Sequence, residues 1–285
     1  MTLTTVSVTI DHAGGPGGHL LAPVGIPAPD RTPAGFAVAG GSHELVFDQS
    51  GQAAALIRPS KAAPLTLTYT FRPGGTCYPE AMFAHRDNRY TRAGEGVASE
   101  ARRIAGRARD GHAAIGAIVN AVADKFSYGH PEHRFNEGFD EVPHLSCGLT
   151  EGSCVDINTY LIASLRAAGF DAGYVTGYFF PAEKNGRCDD MHCWVVTRHH
   201  GVVLEWDIAH HMKLGKRPVC CGLNPKPGER VAIGHSMGLD FPELSIADMK
   251  LLAEPVWLDS DGKVRPLLPE RLAITMHKAD MVSAA

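Results

Sequence analysis

The hydrophobic residues of this chain change their period near residue 95, and the change separates two regions of different structure. Before it, LTTVSVTID and LTLTYTF alternate apolar and polar residues, and HELVFDQSGQAAALIRP has the form of a hairpin that turns at Gln49-Ser50-Gly51. Period two is typical of half-buried strands, and Gly and Pro punctuate the rest of residues 1–75. We therefore predict a β-rich N-terminal domain, a small sheet or sandwich, over residues 1–90.

Helical spacing follows in the next segment. Apolar residues recur every three or four positions over two stretches, which predicts two amphipathic helices. The positions are Val97, Ala101, Ile104, Ala105 and Ala108, followed by Ile115, Ile118, Val119, Val122 and Phe126. The stretch FSYGHPEHRFNEGFDEVPHLSCGLT has no period, and long loops of this kind tend to carry function.

A third helix is predicted in GSCVDINTYLIASLRAAGFDAGYVTGY, and it has apolar residues on several faces, as a central helix does. Strand-like segments follow in DAGYVTGYFF, MHCWVVTR and VVLEWDI. The tail from residue 209 is rich in Pro and Gly, and we expect it to wrap the core. The predicted fold class is α+β, with a second domain over residues 91–285 that ends in a loop-rich extension.

One cysteine stands at the first turn of the predicted central helix. Ser153 and Asp156 have the S-x-x-D form of a capping box, which places Cys154 at the first helical position. The unpaired amides and the positive dipole end of a helix stabilise a thiolate, and they can later hold a developing oxyanion. Asp156 acts in the opposite direction, because a nearby anion raises a thiol pKa. We expect it to turn toward the backbone or toward a substrate amine.

The next two strands supply a base and an acid for this thiol. His192 begins one strand and Asp207 ends the other. If the hairpin turns at His199-His200 the two residues lie directly opposite each other, and if it turns at His200-Gly201, which the glycine favours, they lie diagonally on one face. In either register the carboxylate fixes the imidazole tautomer and leaves the other nitrogen for Cys154. The pattern predicts a nucleophile, a base and an orienting acid.

The segments GSCVDINTYLIASLRAAGFDAGYVTGY, MHCWVV and LEWDIAHH resemble the transglutaminase-like superfamily of papain-type cysteine enzymes, over about residues 95–210. The resemblance implies a papain-like transglutaminase core, with a central helix packed on an antiparallel sheet. It matches Cys154 to the nucleophile, His192 to the general base and Asp207 to the orienting acid. The FSY segment is similar to an aromatic segment upstream of the family's cysteine, and it places Tyr128 in the cleft.

The resemblance implies a thiol-dependent enzyme that cleaves or transfers at an amide bond of a peptide, protein or small glutamine-like substrate through an acyl-enzyme. The chain lacks the upstream tryptophan and the acidic calcium loop of calcium-activated animal members, so we expect hydrolysis rather than crosslinking. The residues predicted to bind substrate are Tyr128, Ser153, Asp156 and His210. Two alternatives are an enzyme like the arylamine N-acetyltransferases, which share the Cys, His, Asp order, and a non-catalytic binding module on the same fold.

Two further motifs give weaker signals. GHSMG at residues 234–238 fits the nucleophile elbow of α/β-hydrolases, but Pro242 interrupts the helix that should follow, and we interpret the motif as a glycine-rich turn. The cysteines and histidines of residues 188–221 contain no C-x-x-C pair, and adjacent ligands point to opposite faces of a strand. We expect neither a metal nor another cofactor.

Charge and composition narrow the partners and the location. A net charge of −4 and a pI near 6.4 give no basic surface for nucleic acid or for an anionic membrane. No window has the ~18 consecutive apolar residues of a membrane span. The start MTLTTVSVTIDHAGG has neither the basic nor the apolar part of a signal peptide. Together with an odd number of cysteines, seven, this predicts reduced thiols and a cytoplasmic location.

Overall fold

A computed structural model describes residues 2–12, 18–60, 64–75, 77–146, 148–223, 225–259 and 262–280. Within these ranges four α-helices form, namely α1 (Glu95–Ala105), α2 (Gly111–Ala123), α3 (Cys154–Ala167) and α4 (Ile208–Lys213). The strands of the first half of the chain are β1 (Thr2–Ile10), β2 (His19–Pro23), β3 (Arg31–Ala39), β4 (Gly41–Phe47), β5 (Ala53–Pro59), β6 (Leu65–Pro73) and β7 (Phe126–Tyr128).

The strands of the second half are shorter on average and begin just before α3. They are β8 (Thr150–Gly152), β9 (Asp171–Pro181), β10 (Arg187–Cys188), β11 (Met191–His199), β12 (Val202–Trp206), β13 (Gly228–His235), β14 (Leu239–Phe241), β15 (Ile246–Met249), β16 (Val256–Leu258), β17 (Val264–Pro266) and β18 (Leu272–Asp280). No helix in the described part of the chain is both long and apolar enough to cross a lipid bilayer.

Strands of the N-terminal region and of the tail together form a sandwich of two five-stranded antiparallel sheets. One sheet has the order β10-β18-β1-β6-β3 and the other has the order β17-β16-β2-β5-β4. Every second residue of β1 from Thr4 to Ile10 is buried, as its period-two pattern predicted. The inward-facing residues of both sheets form one core, in which Val8 of β1 and Leu20 of β2 are fully buried. The hairpin predicted around Ser50 joins β4 to β5.

The central layer is a four-stranded antiparallel sheet with the order β12-β11-β9-β13, and α3 packs on one of its faces. Strand β9 is buried along almost its whole length because both of its faces are covered. On one face Tyr174 packs with α3, and Tyr178 and Phe180 lie further along the same face in the core of the sandwich. On the other face Val175 packs with Trp194 and Met82. Helices α1 and α2 pack against the outside of α3. This arrangement is α+β, and it confirms the predicted fold class with its central helix, antiparallel sheet and β-rich N-terminal region.

The tail of the chain returns to the N-terminal sandwich. Strand β18 pairs with β1 over nine residues, and β16 pairs with β2. The sequence indicated a tail that wraps the core, but it did not predict these strands. Their partners lie more than 200 positions earlier in the chain, so no local pattern reveals the pairing. The boundary that we placed after residue 90 stays a prediction.

Candidate active site

Cys154 is the first residue of α3, and the predicted capping box is present. Asp156 accepts hydrogen bonds on Oδ2 from the backbone N–H of Ser153 at 2.9 Å and from its hydroxyl at 2.7 Å. These bonds fix the turn in which the helix starts, where the backbone amides of the first turn have no partner within the helix. The Cys154 sulfur therefore lies at the positive end of the helix dipole.

Asp156 turns toward the backbone rather than toward a substrate. Its side chain is fully buried, and its Oδ2 accepts a third hydrogen bond, from Nη1 of Arg134 at 2.6 Å. The same nitrogen of Arg134 donates to the Ser153 hydroxyl at 2.7 Å. The guanidinium thus offsets the negative charge that would otherwise raise the pKa of Cys154. Sequence analysis did not single out Arg134, because it lies in the loop without a period.

His192 is the second residue of β11, and it pairs with Gly177 on β9. A Cβ atom at Gly177 would lie 2.1 Å from the carbonyl oxygen of Val231 and 2.9 Å from the Trp194 ring. Only glycine fits there, because β9 is pressed between β11 and β13 at this point. Because the three strands approach so closely, His192 at the start of β11 and Arg230 of β13 can contact the same carboxylate.

Asp207 reaches His192 through the hairpin of β11 and β12. The hairpin turns at His200 and Gly201, with φ of 48° and 77°, so the second of the two predicted registers is the one that forms. The ladder ends at Trp206, and Asp207 is the N-cap of α4 rather than a residue of the strand. Its Oδ1 accepts the backbone N–H of His210 at 2.9 Å, and its Oδ2 lies 3.0 Å from Nε2 of His192.

The contact with Asp207 defines the protonation of His192. A carboxylate can only accept a hydrogen bond, so Nε2 of His192 carries the hydrogen that it donates to Asp207. The other ring nitrogen, Nδ1, is left to interact with Cys154. Burial by itself would lower the pKa of His192, but the charge of Asp207 raises the pKa to about 8. Burial works against the Asp207 carboxylate as well, yet His192 and Arg230 hold its pKa well below the ordinary value. The imidazolium is therefore stabilised in a buried site.

The Cys154 thiol has a second neighbour in Cys193. The pKa of Cys154 lies well below its ordinary value because the Cys193 thiol donates a hydrogen bond to it and because His192 lies beside it, and these effects outweigh burial. Cys193 is fully buried, and Nδ2 of Asn158 lies 3.4 Å from its sulfur. The sequence did not indicate that this buried thiol would reach Cys154.

Aromatic and charged groups pack beside the imidazole ring of His192. The ring of His210 stacks on that of His192, with centroids 4.2 Å apart and planes 7° apart. Burial lowers the pKa of His210 to about 4, so this second imidazole is neutral near pH 7. Arg230 of β13 forms an ion pair with Asp207, and its Nη2 lies 3.0 Å from Nδ1 of His210. The only sequence signal for Arg230 is a charged residue directly before the apolar run Val231 to Ile233.

A cleft of about 520 Å³ opens above these residues. Cys154 and His192 line it, together with three of the four residues predicted to bind substrate, namely Tyr128, Ser153 and His210. Asp156, the fourth, lies behind the cleft wall. The parallel pairing of β7 with β8 places Tyr128 beside the start of α3. Charged residues that sequence analysis did not single out also line the cleft, and they are Arg134, Lys184, Asp189, Asp190, Lys213 and Lys226.

The sequence also suggested a metal site and a serine nucleophile elbow, and the structure can be compared with both. Among the described residues, one set of three potential metal ligands lies within 4.8 Å, formed by His192, Asp207 and His210. The Arg230 cation contacts the same carboxylate oxygen as the ring of His192, so a metal ion would have to displace a positive charge. In the GHSMG motif the strand β14 follows Ser236, where an α/β-hydrolase would have a helix. Cys147 lies outside the described residues.

A central helix that begins with cysteine, packed on an antiparallel sheet that carries histidine, is the arrangement implied by the resemblance. Residues 98–202 match the sequence profile of the Transglutaminase-like superfamily. The match includes Cys154 and His192 and ends before Asp207. The match covers the part of the chain that carries the predicted resemblance, and the resemblance is confirmed.

Two solved structures are similar to the chain at low sequence identity. A putative cysteine protease from Cytophaga hutchinsonii has 13% identity and a TM-score of 0.50, over 97% of this chain and 98% of that chain. The periplasmic domain of TgpA from Pseudomonas aeruginosa has 13% identity and a TM-score of 0.39, over 74% of this chain and 89% of that chain. No curated protein matches the chain in sequence. At 13% identity the likeness to the Cytophaga hutchinsonii protein concerns the fold alone.

Proposed function

We propose that the protein is a thiol-dependent enzyme that cleaves an amide bond of a peptide, protein or small amide substrate. The observation that carries the proposal is the position of His192, which contacts Cys154 on one side and Asp207, at 3.0 Å, on the other. Cys154 and His192 both line the cleft, so a substrate has access to the sulfur. A nucleophile, a base and an orienting acid are the components of covalent acyl transfer.

The geometry supports a two-step reaction. In the first step the Cys154 thiolate adds to the amide carbonyl, and the oxygen that becomes negative is stabilised by amides at the start of α3. His192 then gives its proton to the departing amine, and the C–N bond breaks to leave a thioester on Cys154. In the second step His192 takes a proton from water, whose oxygen adds to the thioester carbonyl. The C–S bond then breaks, the acid product leaves, and the Cys154 thiolate and the protonated His192 are restored.

Hydrolysis is the outcome that we favour over transfer to an amine. Water needs no binding site of its own, whereas a competing amine must be bound beside the thioester. Product analysis tests this choice. The purified protein is incubated with peptides that contain glutamine and with a primary amine, and mass spectrometry separates hydrolysed products from amine adducts. Hydrolysed peptide supports the proposal, amine adducts establish a transferase, and acetylation of an aromatic amine from a thioester donor establishes the arylamine alternative.

The pKa values of the pair predict an optimum in the pH dependence of turnover. Cys154 becomes a thiolate well below its ordinary pKa, and His192 keeps its proton up to about pH 8. We expect kcat/KM to rise as the thiolate forms and to fall above about pH 8, where no imidazolium remains to protonate the amine. Alkylation of Cys154 by iodoacetamide needs only the thiolate, so it should persist above pH 8. An alkylation rate that falls together with turnover contradicts this assignment.

Location and partners follow from the same chemistry. A cytoplasmic site of action is part of the proposal, because a catalytic thiolate has to stay reduced. Nucleic acid is not among the proposed partners, since the net charge of −4 gives no basic surface.

A further inference from the structure

Arg230 is a buried cation on β13 that shares an acceptor with His192. Its side chain is 4% exposed. Its Nη2 donates to Oδ2 of Asp207, the oxygen that also accepts the hydrogen on Nε2 of His192. One carboxylate oxygen therefore bonds two positively charged groups whenever the imidazole is protonated.

The rest of the guanidinium is surrounded by aromatic rings. The guanidinium carbon lies 5.1 Å from the centre of the Phe179 ring and 5.5 Å from that of Trp194. Nε and Nη1 are buried, and neither has a hydrogen-bond partner among the described residues. Within that part of the chain, Asp207 is the acid that forms an ion pair with Arg230. The charge is thus held by one carboxylate and two ring faces.

We propose that Arg230 is a positioning residue that acts on His192 through Asp207, an inference that rests on the proposed function. The guanidinium fixes the carboxylate beside the imidazole, and its charge limits how tightly that carboxylate holds the imidazolium. The limit matters because His192 has to release its proton to the leaving amine, and an over-stabilised imidazolium is a poor acid. Arg230 thus affects two properties of His192: how readily it forms an ion pair with the Cys154 thiolate, and how readily it gives its proton to the leaving amine.

The effect of Arg230 on His192 can be measured as a function of pH, because the ionisable groups near His192 can be named. They come from α3, from the residues before β11, from the start of α4 and from β13. They include Cys154 with its neighbour Cys193, Asp190, Asp207, His210 and Arg230. Glu205 of β12 interacts electrostatically with Arg230 as well. His210 is neutral near pH 7, so the fixed positive charge on the Asp207 side of the ring belongs to Arg230.

The experiment compares alkylation of Cys154 in the full-length wild type, R230M and R230K. The rate with iodoacetamide is followed at pH values on both sides of 8, and mass spectrometry confirms the modified residue. The rate should rise in a step where His192 loses its proton, because a thiolate without its imidazolium partner is the stronger nucleophile. Methionine fills the aromatic surroundings without charge, and lysine keeps the charge. A matched control is R198M, which removes an arginine of β11 that pairs with Glu80 and Asp171 and lies over Phe83, away from Asp207.

We expect R230M to move the alkaline step to higher pH by about one unit, because a repelling charge is gone and Asp207 is free to hold the imidazolium. R230K and R198M should leave the midpoint in place. An unchanged midpoint in folded R230M, or an equal shift in R198M, overturns the inference. If R230M does not fold, R230K decides: an unchanged midpoint with slower alkylation supports the positioning role, and an unchanged rate overturns it.

The same data separate this inference from the proposed function. Alkylation requires no substrate, so failure of the wild type to cleave any peptide counts against the proposed function alone. A Cys154 that iodoacetamide does not modify at any pH overturns both.

Discussion

Replacement of Cys154 by alanine is expected to abolish covalent labelling by an electrophilic probe and to reduce turnover by about 10⁴-fold or more. The thiolate is the atom that attacks, and no other described thiol both lines the cleft and lies beside His192. The fold should survive, because the change removes one small buried group and should cost about 1 kcal/mol. Peptide mapping after labelling, turnover and thermal unfolding measure the three expectations.

The matched control for this prediction is Cys188→Ala. Cys188 is also buried, but it lies on β10 in the sandwich sheet, and burial raises its pKa to about 12. A buried thiol of high pKa is inert, so this variant should be labelled and should turn over like the wild type. A non-catalytic binding module predicts a different result, in which wild-type Cys154 reacts no faster than the exposed Cys221. Retained turnover in Cys154→Ala would remove the nucleophile from the proposal.

The local parts of the candidate site could be predicted from the sequence. Cys154 begins α3 because Ser153 and Asp156 provide a capping signal within four residues. The meeting of His192 with Asp207 followed from hairpin geometry, which left two registers open. The turn resolves them, because a hairpin through His200 and Gly201 needs two residues with positive φ, and glycine adopts that conformation at little cost.

The remaining contacts depend on pairings between distant segments. Arg230 reaches Asp207 only because β13 lies beside β9, on the far side from β11, and the Gly177 approach lets these three strands come close. Arg134 reaches Asp156 from a loop whose path has no periodic signal. The tail strand β18 completes the sheet of β1 from the other end of the chain. Patterns of period two or 3.6 identify strands and helices, but they do not tell which elements become neighbours.

Loss of the Asp207 carboxylate is expected to damage both stability and activity, because this one group supports two others. Asp207→Asn keeps the size of the side chain but removes the charge that balances Arg230 and orients His192. Breaking a buried ion pair by removing one partner costs about 3–5 kcal/mol, since the remaining charge stays buried without compensation. The imidazole also loses its fixed tautomer, and activity should fall by about 10⁴-fold.

A second substitution separates the two effects. In Asp207→Asn/Arg230→Met the uncompensated cation is gone, so the free energy of unfolding should recover part of the loss, with a coupling of about 1–3 kcal/mol between the two sites. Activity should not recover, because neither residue of the double variant can orient His192. Denaturant unfolding of the wild type, both single variants and the double variant at one pH completes the cycle. Strictly additive losses would show that Arg230 and Asp207 do not depend on each other, and recovered turnover would show that His192 needs no orienting acid.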